Sequence, residues 1–170
     1  MPNRQRLAPI RVTSRIDAPS ERVFSAWLDA EVAAQWLFAT ASRPMTHVEI
    51  DPRVGGCFCL ANGREREINE YRGRYIEIVP SRRLVFDLRT SEVDVLTRVC
   101  VEIGAREKRS YVRLIHENLP HNRRSYFEQR WTGILYGLGV TLADRRRRSP
   151  VDRAFVKGTN DEIPVPRLPR

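Results

Sequence analysis

The chain has 170 residues, of which 41% are hydrophobic, and a formal net charge of +9. One domain is the natural reading of that length, and a chain of about 150 residues buries roughly 70% of its unfolded surface without needing a disulfide or metal staple. The apolar fraction excludes a disordered chain, and the lack of any run of about 18 apolar residues excludes a membrane-spanning helix.

Residues 1–9 read as a loose lead, and Met1-Pro2-Asn3-Arg4-Gln5-Arg6 is not followed by the apolar stretch of a secretory signal. From Ile10 to Asp17 the pattern alternates, with Ile10, Val12 and Ile16 on one side and Arg11, Thr13, Arg15 and Asp17 on the other, which predicts a half-buried strand. Ala18-Pro19-Ser20 stops it, and Ser20 is the expected N-cap of a short helix carrying Val23, Phe24, Trp27 and Leu28. Asp29 is placed to cap a second short helix carrying Val32, Ala33 and Trp36.

Strand character begins at Thr46, with Val48 and Ile50 alternating against His47 and Glu49. Gly55-Gly56 predicts a turn or bulge, Phe58 and Leu60 follow on one face, and Asn62-Gly63 is a hairpin signal. Ile68 to Val79 is a long strand segment, and Pro80-Ser81 turns it into Leu84, Phe86 and Leu88. A further strand is predicted over about Leu96 to Ile103, a charged turn over Arg106–Arg109, and a returning strand over Ser110 to His116. Six consecutive strands with short turns imply an antiparallel meander.

At Ser125 the period changes. Phe127, Trp131, Ile134, Leu135, Leu138 and Leu142 form the broad apolar stripe of a helix of about five turns. Gly133, Gly137 and Gly139 fall inside it, each costing about 1 kcal/mol of helix propensity relative to alanine. They either let the sheet approach closely or leave space beside the helix. Residues 145–170 form a basic, proline-containing tail that holds +5 of the net charge. Arg145–Arg148 could bind phosphates, but cations at a helix C-terminus also complement the helix dipole and stay solvated. All but two of the 30 basic residues are arginine, spread along the whole chain. Nucleic acid is therefore a disfavoured partner.

The order strand, two short helices, six strands and one long helix is that of the START-like (SRPBCC, Bet v 1-like) superfamily. The local blocks are narrower. Arg15-Ile16-Asp17-Ala18-Pro19, then Val23-Phe24-Ser25-Ala26-Trp27 and Gln35-Trp36, resemble the opening of the bacterial family named for the activator of heat-shock-protein-90 ATPase. Glu49-Ile50-Asp51-Pro52-Arg53-Val54-Gly55-Gly56-Cys57-Phe58 resembles its next block, as do Gly73-Arg74-Tyr75-Ile76-Glu77-Ile78-Val79-Pro80 and Arg83-Leu84-Val85-Phe86. His116-Glu117-Asn118-Leu119-Pro120 and Trp131 with Leu135 and Leu138 resemble its end, so the likeness covers roughly residues 10–143. It implies an α+β helix-grip fold: a curved antiparallel sheet of about seven strands around a long C-terminal helix, over a domain of residues 10–144. The chain departs from the family at Trp36-Leu37, where a tryptophan pair is common, and at Arg130, where glycine commonly precedes the tryptophan. The co-chaperone of the family name carries a further N-terminal domain, so chaperone activation is not an expectation here.

A sheet curved around a helix leaves a concave apolar space, the usual character of a small-molecule site. Alternation turns Phe58, Leu60, Tyr75, Phe86, Val99, Val101 and His116 inward, with Trp36, Trp131, Leu135 and Leu138 completing the candidate lining. For each apolar member, plain core packing is the commoner role. His116 shares a face with Val112 and Leu114, and is either an acid–base or ligand-binding group or a structural tie to the last helix. His47 and His121 fall on exposed faces or loops, and Glu65, Glu67 and Glu70 near Tyr71 and Tyr75 divide between faces. Ser110 and Ser125 lack a paired base, and no nucleophile motif, phosphate loop, dinucleotide fingerprint or metal triad is present. Cys57 and Cys59 form a C-x-C pair without further ligands nearby, so no metal and no cofactor is expected, and the odd cysteine count with Cys100 suits a reducing, cytoplasmic setting.

The expected function is a binding module for a small hydrophobic or aromatic ligand in a cavity between sheet and C-terminal helix. A cyclase- or aromatase-type enzyme using the same cavity ranks second on resemblance, and a protein or nucleic-acid adaptor working through the tail ranks third. A homodimer is left open.

Overall fold

The computed structural model describes residues 8–64 and 67–147, apart from the side chain of Arg64. In chain order it has β1 (Ile10–Ile16), α1 (Ser20–Leu28), α2 (Ala30–Trp36), β2 (Met45–Ile50), β3 (Cys57–Arg64), β4 (Glu67–Val79), β5 (Arg83–Thr90), β6 (Val93–Arg106), β7 (Arg109–Glu117), a 3-10 turn over His121–Arg123, and α3 (Arg124–Arg147). The strands make one antiparallel sheet in the order β1-β7-β6-β5-β4-β3-β2. β2 to β7 run as the expected meander, and β1 closes on β7. The sheet curves around α3, as the helix-grip reading requires.

Alternation decides which side chains enter the core. Along β7, Ser110, Val112, Leu114 and His116 are buried while Arg109, Tyr111, Arg113 and Glu117 face water. Antiparallel register then lines up rows across the concave face. One row runs Val12, Leu114, Val101, Leu84, and the next Ile10, His116, Val99, Phe86, Tyr75. α3 closes the face with Phe127, Trp131, Ile134, Leu135, Leu138 and Leu142, all buried. Each full burial of a leucine or phenylalanine is worth about 1.5–3 kcal/mol, so this stripe holds the helix in place.

Several local expectations change. Ser20 is the first helical residue of α1; Pro19 stands at the cap, and its carbonyl accepts from the Arg22 and Val23 amides at 3.1 Å. A cap residue has extended backbone and supplies that first carbonyl, which proline's fixed φ allows. Asp29 does cap α2, its carboxylate accepting from the Val32 amide at 3.0 Å. Asn62-Gly63 lies inside β3 and not at the hairpin tip, because Asn62 pairs with Asn69 and Arg64 with Glu67. The Asn62 side chain is buried and donates to the Phe38 carbonyl at 3.2 Å. β6 begins at Val93, whose pairing with Thr90 closes a two-residue turn; a register shift after Leu88 hides that start from simple alternation.

Of the glycines in α3, Gly133 faces open space, Gly137 faces Trp36, and Gly139 faces Ile16. A Cβ at the latter two would meet those side chains only at ordinary contact distance, 3.8 and 3.7 Å. α3 runs on to Arg147, past residue 144, and the rest of the expected tail lies outside the described residues, as do residues 1–7 of the lead. No described helix is long and apolar enough to cross a membrane.

Candidate functional site

All eleven candidate lining residues are buried. They pack on one another and on Trp27. Phe58 meets Tyr75 and Phe86 with ring centroids 5.5 and 5.3 Å apart, the latter edge-on. Gly73, opposite Phe58, is what lets that ring lie flat on the sheet, since a Cβ there would fall 2.2 Å from its tip. Trp27 bridges Phe86 at 6.3 Å and Trp131 at 6.4 Å, and Trp36 sits edge-on to Trp27 at 4.7 Å, its indole N–H donating to the Ala26 carbonyl. Leu60, Val99, Val101, Leu135 and Leu138 have no exposed surface. Clefts of about 530 and 580 Å³ lie elsewhere, on the outer face around Glu102 and Tyr111 and beside Arg22 and Lys108, and none of the eleven lines them.

His116 is the hub of a hydrogen-bond chain. The Trp131 indole N–H donates to His116 Nδ1 at 3.0 Å. That fixes the proton on Nε2, which donates to Thr97 Oγ1 at 2.8 Å, and the Thr97 hydroxyl donates to the Leu88 carbonyl at 2.9 Å. Burial pushes the imidazole pKa down to about 3, so it is neutral at physiological pH. Both ring nitrogens are engaged, and the residue ties β7 and β6 to α3. This is the structural role that the sequence left as one of two readings.

A second polar group gathers at the N-terminal half of α3. Arg130 donates to the hydroxyls of Tyr71, on β4, and of Tyr126, on its own helix. Its guanidinium lies 5.4 to 5.7 Å from the ring centroids of Phe38, Tyr71 and Tyr126, within cation–π range. Glu92, in the β5–β6 turn, faces it at 3.7 Å. Burial raises both tyrosines above the ordinary phenol value, so both stay protonated at neutral pH. Three polar atoms in this group are buried without a partner: Arg130 Nε, Glu92 Oε2 and Thr90 Oγ1. Thr90 is opposite Tyr71 in the sheet and only 7% exposed. Buried polar groups are nearly always satisfied, so three orphans in one neighbourhood call for an explanation.

Phe38 completes the group. It follows α2 on an irregular segment, has a φ of 59°, and inserts its ring face-on against Tyr71, with centroids 4.1 Å apart and planes parallel within 1°. It also meets Trp131 at 5.2 Å. A bulky residue at positive φ is a genuine outlier, and its cost of about 1–3 kcal/mol is sustained only by the ring's burial.

Sequence reasoning missed Phe38, Thr90, Glu92, Thr97 and the inward aim of Tyr71. Tyr71 was readable, since it shares strand parity with Tyr75. Arg130 was marked as a departure, without its partners. Glu67 and Glu70 point to solvent, Glu70 pairing with Arg72, and Glu65 lies outside the described residues.

Residues 17–143 match the model of the family described as Activator of Hsp90 ATPase homolog 1-like protein. The chain belongs to that family. No curated protein matches the chain in sequence. Among solved structures, protein CV1439 from Chromobacterium violaceum shares 24% identity over 78% of this chain and 96% of its own, with a TM-score of 0.68. The AHSA1-like protein from Aeromonas hydrophila shares 19% over 91% and 100%, at 0.67. CalU16 from Micromonospora echinospora shares 20% over 87% and 84%, at 0.62. At these identities the likeness is one of fold.

Proposed function

We propose that the protein is a cytoplasmic binding module for a small hydrophobic or aromatic molecule, and that the ligand takes the place Phe38 occupies. The observation that carries this reading is the Phe38 ring itself. A side chain on an irregular segment, with backbone in the left-handed region, fills a slot whose walls are Tyr71, Trp131 and the Arg130 guanidinium. Such a slot fits a flat aromatic body, and the free protein holds a surrogate in it. Phe38 is tethered to the sheet by a hydrogen bond from Asn62 to its carbonyl, so its ring can leave at the cost of that bond and of apolar burial, with backbone strain relieved in return.

The test is a titration of the wild-type protein with naphthalene, following tryptophan fluorescence and melting temperature. Trp131 touches Phe38, so exchange of the ring alters its emission. Saturable binding raises stability by about 2.7 kcal/mol at a hundredfold excess over the dissociation constant. No saturable response in either signal, with naphthalene and with indole, rejects the reading. A folded domain without a ligand slot would then act through its surface.

A further inference from the structure

We infer that the polar group beside the slot selects ligands carrying a neutral hydroxyl, such as phenols, over anionic and purely hydrocarbon aromatics. This rests on the proposal that the slot takes an aromatic ligand. The argument is one of donor and acceptor balance. Arg130 Nε–H is a donor lacking an acceptor, Glu92 Oε2 has no donor within hydrogen-bond distance although the Tyr126 hydroxyl lies near that carboxylate, and the Thr90 hydroxyl is able to act as either. Arg130 and Glu92 face each other at 3.7 Å, so their charges largely cancel at the slot. An anionic head would accept from Arg130 and meet the Glu92 carboxylate. A cationic head would donate to Glu92 and meet the guanidinium. A hydroxyl accepts from the one, donates to the other and carries no charge of its own.

The position of the group supports its aim. Thr90 pairs across the sheet with Tyr71, the wall on which Phe38 stacks, and the Arg130 guanidinium lies over both rings. A ring replacing Phe38 therefore brings a substituent at its edge to the side where the orphan atoms lie.

The experiment compares naphthalene, 2-naphthol and 2-naphthoate by calorimetric titration of the wild-type protein and of Glu92→Gln. One hydrogen bond to each charged partner makes 2-naphthol bind about tenfold or more tightly than naphthalene to the wild type. In Glu92→Gln the Arg130 charge is uncompensated, so 2-naphthoate gains and overtakes 2-naphthol, while a cooperative melting transition of the unliganded variant certifies an intact fold. Equal binding of naphthalene and 2-naphthol overturns the inference and means that water satisfies the orphan atoms. Preference of the wild type for 2-naphthoate also overturns it. Either of those results leaves the aromatic slot standing, whereas failure of all three compounds removes the slot and the head-group choice together. Should Glu92→Gln not fold, the wild-type ranking decides alone.

Discussion

Around Leu84, Val101, Leu114 and Leu138 the concave face is closed by aliphatic side chains without exposed surface, and in the aromatic layer beside them a single atom, the Trp27 indole nitrogen, is without a partner. Around Tyr71, Thr90, Glu92 and Arg130 the same sheet and the same helix bring together a cation, a carboxylate, a buried and an exposed phenol and three unpartnered polar atoms. Between the two, His116 is polar and buried yet satisfied at both nitrogens. Burial and polarity alone therefore do not mark a site. His116 shows what a structural polar residue looks like when its network closes, and the Arg130 group is one whose network does not.

The closed region is the easier to break. Trp131→Ala removes an aromatic that touches Trp27 and Phe38 and donates to His116, and it is expected to cost about 3–5 kcal/mol in chemical denaturation. A near-neutral result would contradict the packing described. Acid should act on the same network. His116 in the folded protein titrates at about 3 against 6.5 when unfolded, so between those values the unfolded chain binds a proton that the folded one refuses. The stability from this group is complete above pH 6.5 and falls by up to about 1.4 kcal/mol per pH unit as pH drops toward 3. Urea titrations of wild type and His116→Asn across pH 4 to 7 isolate the slope, which the variant lacks.

The open region should respond to backbone relief. Phe38→Ala and Phe38→Gly lose the same ring, but only glycine is at ease at φ 59°. Phe38→Gly is expected to be the more stable of the two by about 1 kcal/mol, the reverse of the usual order. The smallest effect is a control on α3. Gly133→Ala meets no neighbour and restores helix propensity, so it should stabilise by up to about 1 kcal/mol without altering ligand response.

The fold was legible because period and register are local properties. Strand alternation and the stripe from Phe127 to Leu142 located the sheet's inner face and the helix that covers it, and the family blocks gave their order. Turn chemistry was less legible. Asn62-Gly63 carries a hairpin signature, yet the asparagine serves Phe38, a contact across 24 positions that no window reveals. The polar group is hidden for the same reason. Thr90 ends β5 and Glu92 sits in the short turn after it with nothing to mark them, and they matter only because the sheet brings that turn to Arg130. The eleven candidate lining residues are buried, but buried residues fill space as readily as they enclose it, and sequence does not distinguish the two.

The central claim is that Phe38 holds the place of an aromatic ligand. A crystal structure of the wild-type protein saturated with naphthalene tests it most directly. The account predicts naphthalene stacked on Tyr71 beneath Arg130, with the Phe38 ring expelled and its backbone out of the left-handed region. Naphthalene bound elsewhere, or Phe38 still stacked on Tyr71 at saturation, would contradict it.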